Sequence, residues 1–185
     1  MLDFQAYLLA AGNGERAGGP KAWRKVDGGP LLRKQIDFLL GIFKPESVAV
    51  TIQKEWLNFC RELSPSVRWT AADPRSSPLS ALRALMGEAP LSRWTFLHHV
   101  DMPVWEPALF ELLAARVPEA ETSGLEAIAP AYQGRKGHPV LLSPRLEGPL
   151  LGLDPARDRL DHFLRTRRED ALELPFSCIH ENWNS

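Results

Sequence analysis

The amino-acid sequence predicts an α/β protein organised around a largely parallel sheet. Three observations carry that expectation. Apolar runs of strand length alternate with longer segments of helical period, which is the pattern of βαβ units. The chain has 185 residues, ample for one compact domain and cramped for two, so residues 1–185 are expected to form a single domain. Its 16 prolines fall mostly at element boundaries, where a missing N–H does least damage, and no repeat, low-complexity tract or linker interrupts the pattern.

In chain order, Phe4–Ala10 reads as the first strand. Leu31, Leu32, Ile36, Leu39, Leu40 and Phe43 recur at helical spacing after Pro30, which suits a first helical turn. Ser47–Gln53 is the second strand, Glu55–Glu62 a helix and Val67–Ala71 a short strand. Pro78 opens a helix with Leu79, Leu82, Leu85 and Met86 on one stripe. Trp94–Val100 is the candidate central strand and Glu106–Arg116 a helix. Glu126–Ala131 and Pro139–Leu142 read as strands flanking a polar turn, and Asp158–Arg167 as a late helix.

The charge balance, 22 Lys+Arg against 23 Asp+Glu, offers no footprint for nucleic acid or an anionic membrane, so any basic site must be local. No apolar run approaches a transmembrane span, and MLDFQAYLLAAG lacks the basic start and cleavage site of a signal peptide. A cytoplasmic location is the expectation. Cys60 and Cys178 lack metal-ligand spacing and are expected to be reduced thiols.

The chemistry begins where the first strand ends. Gly12, Gly14, Gly18 and Gly19 fall within eight positions, interleaved with Arg16 and closed by Pro20-Lys21. Glycines permit positive φ and leave no Cβ in the way, so backbone N–H groups can converge on phosphate oxygens. Arg16 adds a planar fork and Lys21 a point charge. A dinucleotide fingerprint would run straight into a helix, whereas this loop continues through Lys21 and Lys25; a P-loop would close on Gly-Lys-Ser or Gly-Lys-Thr.

Three later segments carry further chemistry. Ser77-Pro78-Leu79-Ser80-Ala81-Leu82 begins a helix with Ser77 as N-cap, whether or not a nucleotide binds there. Val100-Asp101-Met102-Pro103 delivers one carboxylate at a strand end, where open α/β sheets place ligands. Asp101 there suits a magnesium ion that keeps its waters and bridges phosphates, or else caps the following turn. In Gly134-Arg135-Lys136-Gly137-His138-Pro139-Val140, two glycines permit a tight turn. Arg135, Lys136 and His138 then bring cationic or donor groups to one rim, as a phosphorylated acceptor requires; the alternative is a solvated hairpin. Strand alternation sends His98 and His99 to opposite faces, which assigns both to packing or support.

The run Leu9-Ala10-Ala11-Gly12-x-Gly14-x-Arg16-x-Gly18-x-Pro20-Lys21 resembles the signature of MobA-like NTP transferases, and the later segments match in that family's order. The resemblance implies a three-layer α/β/α Rossmann-like fold of the glycosyltransferase-A type, with a mostly parallel mixed sheet. It implies a nucleotide site of Leu9, Ala10, Ala11, Gly12, Gly14, Arg16, Lys21, Asp73, Ser77, Pro78 and Leu79, with Arg16, Lys21 and Asp101 catalytic. It also implies acceptor contacts from Arg135, Lys136, Gly137 and His138, and a Mg²⁺ held by Asp101 and Asn184.

The implied reaction is attack of an acceptor phosphate on the α-phosphorus of GTP or CTP with release of pyrophosphate, the acceptor being molybdopterin or a sugar phosphate. The Gly-His-Pro turn and Asp154–Arg157 resemble the cytidylyl branch; Pro78-Leu79 and Asn182-x-Asn184 resemble the guanylyl branch. Two departures motivate the alternative of a nucleotide-binding module impaired in transfer. Asn182-Trp183-Asn184-Ser185 supplies amides where the family pattern carries carboxylates or continues into a closing helix, and Pro155-Ala156 replaces an expected glycine. No nucleic-acid or membrane partner is expected, and the protein is expected to act as a monomer or weak homo-oligomer.

Overall fold

The computed structural model describes residues 1–14 and 19–183. Strand β1 (Gln5–Leu9) leads through the glycine loop to a short ribbon, β2 (Lys25–Val26) and β3 (Gly29–Pro30), and then to α1 (Leu31–Ile42). Next come β4 (Val48–Ile52), α2 (Leu57–Leu63), β5 (Arg68–Ala71), α3 (Pro78–Glu88) and β6 (Thr95–His99). The chain continues through α4 (Pro107–Ala115), α5 (Val117–Thr122), β7 (Ala127–Tyr132), β8 (Arg135–Lys136) and β9 (Val140–Leu142). It closes with α6 (Glu147–Leu151), α7 (Leu160–Arg165) and β10 (Glu169–Glu173).

The main sheet runs β10-β7-β9-β6-β1-β4-β5, with β8 added on β7. Along that path β9 is antiparallel to both neighbours and every other pair is parallel. This is the mostly parallel mixed sheet that the sequence predicts. Alternation along the strands divides the core in two. Ala6, Leu8, Val48, Val50 and Phe96 pack with α1 and α4 on one face, and Tyr7, Leu9, Ala49 and Leu97 pack with α3 and α6 on the other. Helices therefore cover both faces of the sheet in three layers. None of the described helices is long and apolar enough to cross a membrane.

The register of the two middle strands positions the site. β1 pairs with β6 so that Leu9 lies opposite His99, and the Val100 amide continues the ladder by donating to the Leu9 carbonyl at 3.1 Å. The glycine loop and the Asp101 turn consequently leave the sheet side by side at its carboxyl edge.

Several elements escape the apolar pattern. The ribbon is closed by Asp27 and Gly28, with φ of 49° and 86°, the positive values an Asp-Gly type I′ turn demands. α5 continues the predicted fourth helix after a break at Arg116. β10 is the chief omission from the predicted strands. Its sequence, EDALE, is too charged to read as a strand, yet it pairs in parallel with β7 at the sheet edge. An edge strand has one open side, where charge is tolerated and discourages further pairing. Asp170 receives the Arg116 guanidinium at 2.8 Å and Glu169 receives Lys136.

Candidate active site

The end of β1 is built from small residues because the backbone itself must be reachable. Ala10 and Ala11 are buried, and side chains from β4 and its end fix their main chain. The Ala10 amide donates to Thr51 Oγ1 at 3.1 Å, and Gln53 Nε2 donates to the Ala11 carbonyl at 3.1 Å. Gly14 has φ +59° and a Cβ there would overlap the Gly19 carbonyl, so glycine is required where the two ends of the loop meet. The Gly19 amide donates to the Gly14 carbonyl across that neck. Arg16 lies outside the described residues.

Lys21 opens a single 3₁₀ turn, Lys21–Trp23, and reaches back to the sheet. Its Nζ lies 2.5 Å from Asp101 Oδ2, with the side chains 21% and 13% exposed. Charges this poorly solvated attract more strongly than they would in open water. The two residues singled out as catalytic cation and anionic ligand are thus brought together. They face a cavity of about 480 Å³ also lined by Leu9, Ala11, Gly12, Asn13, Gly14, Thr51, Ser77 and Pro78.

A second cavity, of about 600 Å³, adjoins the first and shares Ser77, Pro78 and His99 with it. Lys136, Gly137 and His138, which the resemblance implies as acceptor contacts, line it over an apolar floor that includes Leu97, Ala129, Val140 and Leu160. Gly137 lets the segment Ser177–His180 approach, since a Cβ there would overlap the Ile179 carbonyl. The His138 amide donates to that carbonyl at 3.2 Å.

Burial disfavours the charged form of three histidines, His98, His99 and His138. His138 lies edge-on to His99, with ring centroids 5.2 Å apart. Burial, reinforced by His99 and His98, pushes the His138 pKa down to about 3. His98 packs on Phe110 in the opposite core layer, and burial with its neighbour His99 also lowers it to about 3. Burial lowers His99 too, against the upward pull of Asp101 and with the downward push of Lys21. The sequence assigns His99 to support, whereas the structure puts it in the wall between the cavities.

Other expected contacts sit elsewhere. Asp73 spends its carboxylate on the Arg75 amide at 2.8 Å, closing the turn before α3, and does not line the first cavity. Leu79 is fully buried in the core beneath α3. Ser77 is the expected helix cap, its Oγ accepting from the Ser80 amide at 3.2 Å, and it also lines both cavities. Arg135 is exposed and does not line the acceptor-side cavity; its carbonyl is bonded to His180 Nε2 at 2.8 Å. Arg159 and Arg165, flanking and within α7, line that cavity instead. Their helix was legible, but nothing in their spacing linked them to the Gly134–Val140 turn.

Asp101 is a hard oxygen donor at a strand end, and among the described residues no group of three or more His, Cys, Asp and Glu could hold a metal. Such a site fits a cation that keeps several waters and takes its remaining ligands from phosphates. Asn184 lies outside the described residues. Its neighbour Trp183 donates its amide to the Asp101 carbonyl at 2.8 Å and stacks edge-on with Trp105.

A glycine loop and a strand-end carboxylate thus face one cavity of this α/β domain, beside a second cavity rimmed by paired charges. Residues 6–171 match the model of the MobA-like NTP transferase domain, and the chain belongs to that family of nucleotidyltransferases. It is 28% identical over 140 residues to a 2-C-methyl-D-erythritol 4-phosphate cytidylyltransferase of Nitrosomonas eutropha, across 69% of this chain and 60% of that protein. The chain thus spans about 60% of the length of that curated relative. Its fold is similar to that of Rv0371c from Mycobacterium tuberculosis H37Rv, with a TM-score of 0.74 and 19% identity over 99% of this chain and 95% of the other. That protein has also been solved in complex with manganese, with a TM-score of 0.66, 17% identity and the same coverage of both chains. Molybdopterin-guanine dinucleotide biosynthesis protein A from Archaeoglobus fulgidus gives a TM-score of 0.66 at 16% identity, over 92% of this chain and 83% of that one.

Proposed function

We propose that the protein is a Mg²⁺-dependent nucleotidyltransferase. It moves a nucleoside monophosphate from GTP or CTP to a small phosphorylated acceptor, such as molybdopterin or a sugar phosphate, and releases pyrophosphate. The observation that carries this reading is the Lys21–Asp101 pair lining a cavity that shares a wall with a second one, rimmed by Lys136, Arg159 and Arg165 with their ion-pair partners Glu169 and Asp161.

In this reading the triphosphate lies along Gly12–Gly14, whose backbone meets its oxygens, and Lys21 and Arg16 balance its charge. Lys21 exchanges Asp101 for a phosphate, and Asp101 is the residue that would hold the Mg²⁺. Bound Mg²⁺ would neutralise charge on the phosphoryl oxygens as pyrophosphate leaves. The acceptor phosphate approaches from the second cavity with Lys136, Arg159 and Arg165 around it, past Ser77 and His99. Protein groups position and neutralise, and no general base is needed because a phosphate nucleophile is already ionised. Residues 1–185 act as one domain carrying both substrate sites, as a monomer or weak homo-oligomer in the cytoplasm, with no nucleic-acid or membrane partner. Incubation with each NTP, Mg²⁺ and a panel of phosphorylated acceptors tests the reading: pyrophosphate release that depends on the acceptor supports it. Nucleotide binding without any release would favour the module impaired in transfer.

A further inference from the structure

We infer that Gln35 is a positioning residue for Asp101, clamping the turn that carries the carboxylate so that it meets a phosphate-bound divalent cation. The inference rests on the role given to Asp101 above. Gln35 projects from α1, is fully buried, and stands 65 residues before the segment it grips. Its Nε2 donates to the Val100 carbonyl at 3.0 Å and to the Met102 carbonyl at 2.8 Å, the two positions flanking Asp101. Its Oε1 accepts from Trp105 Nε1 at 3.1 Å.

The direction in which this amide faces is fixed by chemistry. An indole N–H can only donate and a carbonyl can only accept, so Oε1 must face Trp105 and the NH₂ must face the turn. The grip is also part of a complete set. Four consecutive carbonyls accept hydrogen bonds: His99 from the Met102 amide, Val100 from Gln35, Asp101 from the Trp183 amide, and Met102 from Gln35 and the Val104 amide. The turn has no regular secondary structure of its own, so these bonds hold its backbone. Supporting groups one layer behind a metal ligand set that ligand's orientation. A buried glutamine that merely satisfied two carbonyls would affect stability alone, which gives the experiment its contrast.

The test is a thermal-shift titration with GTP or CTP, each with and without Mn²⁺, on the intact chain. Gln35→Met is expected to keep the rise in Tm produced by nucleotide alone and to lose at least half of the further rise that Mn²⁺ adds. In turnover, the Mn²⁺ concentration giving half-maximal rate should increase about 10-fold, while KM for the nucleotide moves less than about threefold. Leu39→Val, on the next turn of α1, lowers Tm without touching the clamp and should keep the full Mn²⁺ increment. Trp105→Phe leaves the amide in place but removes the donor that orients it. It should shift the Mn²⁺ response in the same direction by less, and it serves if Gln35→Met does not fold. A full Mn²⁺ increment in Gln35→Met, or in Trp105→Phe where that variant stands in, overturns the inference. If the wild-type chain responds to no nucleotide, the proposed function fails and the inference with it.

Discussion

Lys21 Nζ lies 2.5 Å from Asp101 Oδ2 across 80 residues of sequence, joining the end of the glycine loop to the end of β6. The two opposite charges lie in direct contact and partly neutralise each other. In the proposed function, ligands separate them, so their charges enter the nucleotide complex as a linked pair.

Neutralising the carboxylate should therefore separate binding from transfer. Asp101→Asn removes one carboxylate that competes with phosphate for Lys21, so nucleotide affinity measured without divalent metal is expected to equal or exceed that of the wild type. Transfer in the presence of Mg²⁺ should nevertheless fall by about 100-fold or more, as is typical when a preorganised electrostatic group is lost. Calorimetric binding without metal and pyrophosphate release with it give the two readouts. A parallel loss in both would contradict the linked-pair account.

The loop neck should tolerate no side chain. Gly14→Ala forces a Cβ onto the Gly19 carbonyl at φ +59°, and strain of about 1–3 kcal/mol is expected at such a position. Because residues 14 and 19 sit at the two ends of the loop, the strain should appear first as weaker nucleotide binding. Gly29→Ala, where a Cβ meets nothing within 4 Å and which lies outside the first cavity, is the control for a glycine replaced without overlap. Equal effects of the two changes on affinity would count against the neck.

The arginines of the second cavity should govern the acceptor alone. Arg159→Ala and Arg165→Ala are each expected to raise the acceptor KM about 10-fold, the scale of one lost charge-assisted hydrogen bond. KM for the nucleotide should stay within about twofold, because neither arginine lines the first cavity. Arg135→Ala, exposed and outside the lining, should change neither constant. Steady-state kinetics with each substrate varied in turn decides this.

Acid should destabilise the fold through its buried histidines. In the unfolded chain an imidazole takes up its proton near pH 6.5, whereas His98 and His138 resist it down to about 3. Between those values the unfolded state binds more protons, so stability is full above about pH 6.5 and declines as pH falls towards 3. His98→Leu removes one such group and should make that decline shallower by roughly one proton. Denaturant melts from pH 7.5 to 4 measure the slope; an unchanged slope in His98→Leu would show that His98 is not a source of it.

Much of this was legible in sequence because it rests on local rules. β1, β4 and β6 declare themselves as apolar runs, and the Ser77-Pro78 cap fixes the start of α3 to the residue. Lys21 and Asp101 were readable singly, one from its loop and one from its strand end. Their contact was not, because it depends on the β1–β6 register, which no local pattern encodes. β10 and Arg159 were missed for a related reason. A charged edge strand carries no apolar alternation, and the place of a helix-end arginine in a cavity is decided by packing. Gln35 stands beside Arg33, Lys34 and Asp37 as one of several polar positions on a predicted helix, and only the arrival of the Val100–Met102 carbonyls gives it a task. Asp73 and Leu79 follow the family pattern in sequence, yet here one closes a turn and the other fills the core.

The most direct measurement of the central claim is acceptor-dependent release of pyrophosphate from GTP or CTP with Mg²⁺, comparing the wild type with Lys21→Ala. The account predicts release by the wild type and a loss of about 100-fold or more in Lys21→Ala. Equal rates in the two proteins, or no release with any NTP and acceptor, would contradict it.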